Sequence, residues 1–337
     1  YGKWILADGS QHEGRFEQKH FDKFTDGIGY FDDSKYTGQI KNDQWHGQGT
    51  LVAGNGDKFE GEFIDGIFVK GIKTTTEGES ITGSFNGLLA HGFAIKVKAS
   101  GSRYEGQFKK DLYHGQGSLF IADTKEKYTG QFLNGLKSGK GIEWENGIHY
   151  EGEFLNGLYH GQGKRTIASG RSYEGQFKDG LYNGNGTDTS PYGFTYKGEF
   201  KNGKLHGISE RYYENGKLHY KMNYNNGKKD GDSTQFHKNG QLHLHANYQD
   251  GKKQGLFAFY DDKGQFNVKA NYKDGELHGL KEWYYDNDQL HGMSNFKDGK
   301  LDGLHRSYDK NGKLKRTSCR KNGEETDMSY CDNPRKP

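Results

Sequence analysis

The sequence predicts an all-β protein: an elongated, single-layer antiparallel solenoid of β-hairpin repeats, with about 14 repeats of 22–24 residues. Three observations predict this fold. First, the 337 residues include 53 Gly, 23 Tyr and 21 Phe but only 3 Pro, and 30% are hydrophobic, a composition suited to short strands and tight turns. Second, a short aromatic and glycine pattern recurs at a regular spacing. Third, Asn-Gly pairs, which favour hairpin turns, punctuate the repeats.

The first part of the chain carries the pattern aromatic-x-Gly-x-aromatic, as in Tyr104 to Phe108 and Tyr150 to Phe154. In most repeats a Gly-x-Gly element follows nine residues later, often after a histidine, as in His114-Gly115-Gln116-Gly117. Such regularity predicts stacked copies of one structural unit. The central glycines recur every 23 residues on average, at Gly14, Gly38, Gly61, Gly83, Gly106, Gly130, Gly152, Gly175 and Gly198.

The second part of the chain keeps a period but loses the pattern. Its turn glycines, from Gly203 to Gly323, are spaced by 24 residues. We therefore expect the same hairpins with a different interior, nine repeats of the first type followed by five of a variant. The place of the central glycine is taken by Met222, Ala246, Ala270, Ser294 and Ser318.

Each repeat is interpreted as two strands. Alternation along a strand places Tyr150, Gly152 and Phe154 on one face and Glu151 and Glu153 on the other. Asn-Gly accepts positive φ at both central positions of a two-residue turn. Such pairs occur on one side of the hairpins as Asn156-Gly157 and Asn202-Gly203, and on the other as Asn146-Gly147, Asn215-Gly216 and Asn239-Gly240.

The glycine between the two aromatic residues predicts how the interior is built. A single-layer sheet has no second layer to cover it, so the rings must lie over the backbone. A missing side chain gives a ring that room. We therefore expect stacked aromatic side chains to form the core.

Charge and hydropathy exclude several classes of function. The 48 Lys and Arg nearly balance the 45 Asp and Glu, for a formal net charge of +3, and the two signs are interleaved. Because nucleic-acid binding needs a concentrated basic stripe, we expect no nucleic-acid partner. No apolar run approaches the roughly 18 to 20 residues of a membrane-spanning helix.

Two residue patterns suggest chemistry, and both have a stronger structural explanation. Histidines such as His114 and His160 occur once per repeat, so they would lie about 9 to 10 Å apart, too far to share a metal ion. His243 and His245 share a strand face and are a slightly better pair. Glu151 and Glu153 have a spacing that glycosidases use, but other repeats carry Thr, Gln or Lys at these places. We expect no metal, no cofactor and no catalytic residue.

The recurring Tyr-x-Gly-x-Phe, Asn-Gly and His-Gly-x-Gly elements resemble those of the MORN repeat family over residues 1–207. Residues 208–323 resemble a second MORN variant found in bacterial YwqK-like antitoxin and immunity proteins, and 324–337 would form a C-terminal tail or cap. The resemblance implies a scaffolding or binding surface rather than an enzyme. It also implies membrane-lipid association, which is often proposed for the family.

We expect a protein partner, bound along an aromatic-lined trough. Immunity function, with a toxin or effector as the partner, and association with anionic phospholipid are the alternatives. The side chains expected to line the trough are Tyr104, Phe108, Tyr150, Phe154, Tyr173, Phe177, Tyr196 and Phe200.

The two cysteines, Cys319 and Cys331, lie near the C-terminal end. A tight turn at Asn322-Gly323 would place Cys319 opposite residue 326, so a disulfide requires the tail to loop back. We expect this disulfide, which would indicate a periplasmic or secreted protein. Free thiols in a reducing cytoplasm are the alternative.

Overall fold

The structure, a computed structural model, describes residues 2–5, 11–16, 23–31, 33–42 and 44–332, with side chains over 33–42 and 44–332. Nearly all of the described residues lie in antiparallel strands, which confirms the all-β hairpin-repeat fold. Within the same residues, none of the helices has the length and hydropathy needed to cross a bilayer.

The chain divides into two compact units, Tyr1–Ala168 (unit 1) and Ser169–Pro337 (unit 2). The strands described in unit 1 are β1 (Gly2–Ile5), β2 (Gln11–Phe16), β3 (Lys23–Phe31), β4 (Ser34–Lys41), β5 (Gln44–Val52), β6 (Lys58–Ile64), β7 (Ile67–Thr74), β8 (Ser80–Asn86), β9 (Leu89–Val97), β10 (Arg103–Lys109), β11 (Leu112–Phe120), β12 (Lys127–Leu133), β13 (Leu136–Glu145), β14 (Ile148–Leu155) and β15 (Leu158–Thr166).

The elements described in unit 2 are β16 (Ser172–Lys178), β17 (Leu181–Thr189), β18 (Thr195–Lys201), β19 (Lys204–Tyr212), β20 (Leu218–Asn225), β21 (Lys228–Phe236), β22 (Leu242–Gln249), β23 (Lys252–Tyr260), β24 (Phe266–Lys273), β25 (Glu276–Tyr284), β26 (Leu290–Lys297), β27 (Lys300–Tyr308), β28 (Leu314–Lys321), β29 (Glu324–Thr326) and a short helix, α1 (Ser329–Asp332). In each unit, every strand pairs antiparallel with the next strand along the chain.

The two-residue turns of unit 1 follow the expected chemistry. Asn134 and Gly135 join β12 to β13 with φ angles of 49° and 87°, the positive values that a two-residue turn requires. The turns at Asn215-Gly216 and Asn239-Gly240 differ from the expectation, because only their glycines have positive φ. There the loop is longer. The Gly216 N–H donates to Tyr213 O at 2.9 Å, and the Tyr213 N–H donates to Lys217 O at 2.8 Å.

A row of glycines crosses unit 1 at right angles to its strands. Gly106 faces Gly117, Gly117 faces Gly130, and Gly130 faces Gly141 across successive strand pairs. With Ala94 as its one interruption, the row runs through Gly2, Gly14, Gly27, Gly38, Gly49, Gly61, Gly71, Gly83, Gly106, Gly117, Gly130, Gly141, Gly152 and Gly163.

The glycine row leaves room for tyrosine rings that lie over the backbone. The Tyr104 hydroxyl crosses the row and donates to Gln107 O at 2.9 Å. A Cβ added to Gly117 would lie 2.4 Å from Tyr104 Oη, so no larger residue fits beneath the ring. The same hydrogen bond, from a tyrosine hydroxyl to the carbonyl three residues later, recurs at Tyr36, Tyr128, Tyr150 and Tyr173.

A second layer of rings covers these tyrosines. The Tyr113 ring stacks on Tyr104 at a centroid distance of 3.7 Å, and Phe108 and Phe132 contact Tyr104 edge-on at 5.0 and 5.2 Å. Stacked and edge-on contacts stabilise aromatic pairs beyond the area that they bury. The expectation that stacked aromatic side chains form the core is therefore confirmed.

The interior changes within unit 2. After Gly175, Gly186 and Gly198, the row continues with Ser209 and Met222. Farther along, lysines lie over rings: Lys229 Nζ is 5.0 Å from the Tyr248 centroid, and Lys253 Nζ is 4.7 Å from that of Tyr272. Cation–π contacts thus occur here beside ring-on-ring contacts, such as that of Phe257 with Tyr272 at 5.7 Å.

The C-terminal segment folds back on the last strands. Cys319 pairs with Thr326, the register expected from the turn at Asn322-Gly323. Helix α1 then brings Cys331 to Cys319, and the two form a disulfide with a Cα–Cα distance of 6.0 Å. The Tyr330 hydroxyl donates to Asp302 Oδ1 at 2.7 Å, which fixes the segment against β27.

Candidate functional site

The aromatic residues expected to line a binding trough lie mostly in the interior. Tyr104, Tyr150 and Tyr173 are 0–1% exposed. Phe108, Phe154, Phe177 and Phe200 are also buried, and Tyr196 is half-buried. Because of this burial, these side chains do not form the exposed lining of a trough that the sequence predicted. The covering ring comes from the Leu-Tyr-His-Gly or Leu-Tyr-Asn-Gly element, at Tyr113, Tyr159 and Tyr182.

The exposed apolar surface of unit 1 lies instead beside its hairpin turns. Leu133 and Leu136 flank Asn134-Gly135, pair across the two strands, and are 52% and 50% exposed. Because side chains alternate along a strand, they lie on the face opposite the buried Phe132. The exposed apolar residues at this and the equivalent turns, here called the ridge, are Ile64, Ile67, Leu88, Leu89, Leu112, Leu133, Leu136, Leu155 and Leu158.

The ridge is built on turns that are bonded to one another. The Gly135 N–H donates to Tyr113 O at 2.8 Å, and the Gly157 N–H donates to Lys137 O at 2.9 Å, so these turns are held by the preceding hairpins. Successive turns lie two strands apart, about 10 Å, and the five turns of the ridge span about 40 Å. Apolar side chains are thus presented at a regular spacing on a hydrogen-bonded frame.

The ridge carries no excess of either charge. The charged residues at its turns are Asp65, Lys109, Lys110 and Asp111, two of each sign. Lysine predominates at the corresponding positions of unit 2, which hold Lys178, Leu181, Lys201, Lys204, Asn225, Lys228, Gln249, Lys252, Lys273, Glu276, Lys297, Lys300, Lys321 and Glu324.

The sequence contains a signal for the ridge that composition does not reveal. Ile64-Asp65-Gly66-Ile67, Leu133-Asn134-Gly135-Leu136 and Leu155-Asn156-Gly157-Leu158 each place an apolar residue on both sides of a turn. Alignment of the repeats on their turns would have identified this pair of positions.

Charged groups also lie within the core face. Lys137 Nζ contacts both Glu126 Oε1 and Glu143 Oε1, and the two glutamates are only 9% and 5% exposed. Burial alone would lower the pKa of Lys137, but hydrogen bonds to both carboxylates raise it. Burial, and a hydrogen bond to Glu143, raise the pKa of the Tyr159 hydroxyl. This cluster keeps lysine charged and tyrosine neutral, which suits a structural ion pair.

Some of the residues considered for catalysis or metal binding have structural contacts. Glu153 Oε1 accepts from the Gln162 N–H at 3.1 Å, next to the bulge at Glu153. His243 Nδ1 lies 2.7 Å from His237 Nε2, whereas His245 Nε2 lies 3.9 Å from Asp232 Oδ1. His243 is thus placed with His237 rather than with His245. Across the described residues, no three His, Cys, Asp or Glu side chains converge as a metal site would require.

Comparison with known protein families finds repeats in both parts of the chain. The MORN repeat model matches residues 36–58, 104–123, 128–148, 150–170 and 173–189. The model of the MORN repeat variant matches residues 205–226, 229–250, 277–298 and 301–322. Together the two models cover more than half of the chain.

No curated protein matches the sequence. Similar solved structures include a streptogramin B lyase, at 13% identity over 90% of this chain and 93% of that chain, with a TM-score of 0.14. Another is BamB from Moraxella catarrhalis, at 10% identity over 87% of each chain, also with a TM-score of 0.14. Scores this low support no conclusion about this protein.

Proposed function

The chain belongs to the MORN repeat family, and we propose that it is a non-catalytic binding protein that holds a protein partner along the ridge of unit 1. MORN repeats are in general interaction repeats for proteins or lipids. The observation that carries the proposal is the run of exposed Ile and Leu side chains beside five successive turns. Soluble proteins rarely expose contiguous apolar surface unless it binds something.

The spacing of the ridge indicates the form of the partner. An α-helix rises about 1.5 Å per residue, so residues seven apart are separated by about 10.5 Å. This matches the interval of about 10 Å between successive turns. An amphipathic helix laid along the ridge would place one apolar side chain on each turn, as in other helix-in-groove complexes.

Membrane lipid is the competing occupant, because leucines at turns can also enter a bilayer interface. Binding to anionic lipid usually draws on a basic cluster, and each lysine near the surface contributes about 1 kcal/mol. The charges at the ridge turns cancel, so the ridge lacks this contribution. The charge balance therefore favours protein.

The double variant Leu133→Lys/Leu136→Lys tests the proposal. Lys201 and Lys204 occupy the same pair of positions in unit 2, so lysine is compatible with the turn. Ile208→Lys, at a site 49% exposed and outside the ridge, is the matched control. A photo-crosslinking residue at 155 would capture the partner from the native source, with each variant introduced into that background.

We expect crosslinking to one protein, lost in the ridge variant and retained in the control. Crosslinking that survives the ridge variant would contradict the proposal. So would sedimentation of the wild-type chain with phosphatidylserine vesicles that the ridge variant abolishes, because that result assigns the ridge to lipid. The captured protein also tests the immunity hypothesis: a secreted toxin would support it, and a cytoskeletal protein would count against it.

A further inference from the structure

Along the core face, several hairpins pair opposite charges at one pair of positions. One partner precedes the core residue of the first strand by two positions, and the other lies on the second strand. Lys73 Nζ lies 3.4 Å from Asp57 Oδ2, and Lys96 Nζ lies 2.7 Å from Glu79 Oε1. In unit 2, Arg171 Nε donates to Asp188 at 2.8 Å, with a second nitrogen on the same carboxylate.

The hairpin after Asp188 has a cation at one of these positions but no such pair. The place of Arg171 is taken by Phe194, and that of Asp188 by Arg211. The Arg211 guanidinium lies 4.2 Å from the Phe194 ring centroid and 5.1 Å from that of Tyr196. Its Nε is buried without a hydrogen-bond partner, and no carboxylate of the described residues forms an ion pair with it.

A cavity of about 260 Å³ opens beside this arginine. Its walls include His219, whose ring stacks on Tyr213 at 4.2 Å and whose buried Nδ1 also lacks a partner. Lys238 adds a cation at the edge, and the one acidic lining residue, Glu214, is exposed. The Tyr213 hydroxyl donates to Phe236 O at 2.8 Å, which fixes this wall.

Arg211 is half-buried over aromatic rings with no carboxylate of the described residues beside it, an arrangement that an anionic group would stabilise. The geometry points to a binding site for a carboxylate, with Arg211 as the bidentate donor, His219 as a second donor and Phe194 as an aromatic wall. The ligand would supply the group that Asp188 supplies in the preceding hairpin. An acidic side chain of a polypeptide and a small carboxylic acid share this chemistry. The site lies in unit 2 and does not depend on the proposed role of the ridge in unit 1.

Phe194→Asp is the most decisive variant, because it places a carboxylate opposite Arg211. The pair would then have the charges of Arg171 and Asp188 with the two positions exchanged. Arg211→Gln removes the donor, and Arg211→Lys keeps the charge but loses the planar fork. Arg306→Gln is the control, since Arg306 Nε also lacks a partner but the residue lies outside the cavity. The full-length chain would be titrated with a hexaglutamate peptide, sodium acetate or inorganic phosphate at constant ionic strength. Binding would be followed by calorimetry and by the Arg211 Nε–H resonance.

We expect saturable binding of hexaglutamate or acetate that shifts the Arg211 resonance, weakens at least about tenfold in Arg211→Gln and Phe194→Asp, and persists in Arg306→Gln. Tighter binding of hexaglutamate would identify a polypeptide source, and equal binding per carboxylate a small acid. Weaker binding by Arg211→Lys, with an unchanged circular dichroism spectrum, would support bidentate recognition. Tighter binding of phosphate than of either carboxylate, unaltered binding by Phe194→Asp, or no saturable binding by any probe would overturn the proposal.

Discussion

Units 1 and 2 share a strand register but fill it with different side chains. In unit 1 a glycine row lies beneath tyrosines that other rings cover, so Tyr104 is 1% exposed. In unit 2 the row passes to residues such as Ser209 and Met222, and half-buried tyrosines lie beneath lysines. The comparison teaches that strand pairing and the turns define the repeat. The interior can consist of stacked aromatic rings or of rings covered by lysines.

The lysine that follows the turn shows the contrast between the units in the direction of its pKa shift. Lys137 in unit 1 and Lys253 in unit 2 both follow the turn, opposite Phe132 and Tyr248 respectively. Two buried carboxylates raise the pKa of Lys137, whereas burial, and then the charge of Lys229, lower the pKa of Lys253. Both lysines lie over aromatic rings, but only Lys137 also contacts carboxylates.

The largest expected effect comes from removing these lysines. Lys137→Met leaves Glu126 and Glu143 buried without a cation and should lower the free energy of unfolding by about 3 to 5 kcal/mol. Lys253→Met removes no ion pair and should change it by less than about 1 kcal/mol. Urea denaturation followed by circular dichroism measures both. Equal losses would show that the comparison is wrong, and Glu126→Gln should recover part of the loss from Lys137→Met.

The glycine row gives the next largest effect. Gly117→Ala drives a methyl group into the Tyr104 ring, 2.4 Å from Oη, and overpacking of this kind costs about 1 to 3 kcal/mol. Gly198→Ala in unit 2 meets Ser209 Cβ at 3.3 Å, so a small movement accommodates it, at under about 1 kcal/mol. Thermal unfolding of the two variants would sharpen the comparison. The comparison is wrong if Gly198→Ala lowers the stability more than Gly117→Ala does.

A smaller effect separates the tyrosine hydroxyls. Tyr104→Phe removes the hydrogen bond to Gln107 O and should cost about 1 kcal/mol. The Tyr248 hydroxyl has no hydrogen bond to a described residue, so Tyr248→Phe should be nearly neutral. A matched pair of urea midpoints measures the difference, which a loss of equal size at both sites would contradict.

The last effect is a loss of stability that appears only at alkaline pH. Burial, and then the charge of Tyr113, raise the pKa of Tyr104 from 10.0 to about 12. Because the folded-state pKa lies above the unfolded value, the stability contributed by this group is complete below pH 10 and is lost as the pH rises toward about 12. Tyr104→Phe should therefore lose less stability than the wild type over this window. Tyrosinate absorbance and circular dichroism against pH would test this, and equal losses would contradict it.

The sequence predicts the hairpin repeat because its cause is local. Tyrosine needs two glycines beneath it, and each turn needs residues that tolerate positive φ, so both leave a periodic trace. Exposure is not local: whether Tyr104 faces solvent depends on Tyr113, nine residues later and on the next strand. For the same reason, the pattern suggested an aromatic trough where the structure has a core.

The ridge and the cavity beside Arg211 could not be predicted from the sequence, and the reason is a different one. Strand-end leucines such as Leu133 have the same pattern whether or not anything covers them. Arg211 is identified as unpaired only when Phe194 is placed opposite it and compared with Arg171 and Asp188. Both features depend on what occupies the neighbouring position, which periodicity alone does not specify.

The turns at Gly66, Asp111, Gly135 and Gly157 are each positioned by the preceding hairpin, through a bond whose donor and acceptor occupy equivalent places. Excision of residues 128–149 would offer Tyr113 O to the Gly157 N–H, in place of the lost Lys137 O. Duplication or loss of one hairpin by recombination within the gene therefore requires no new type of contact. The number of hairpins, and with it the length of the ridge proposed to bind a helix, can change in steps of about 10 Å during evolution.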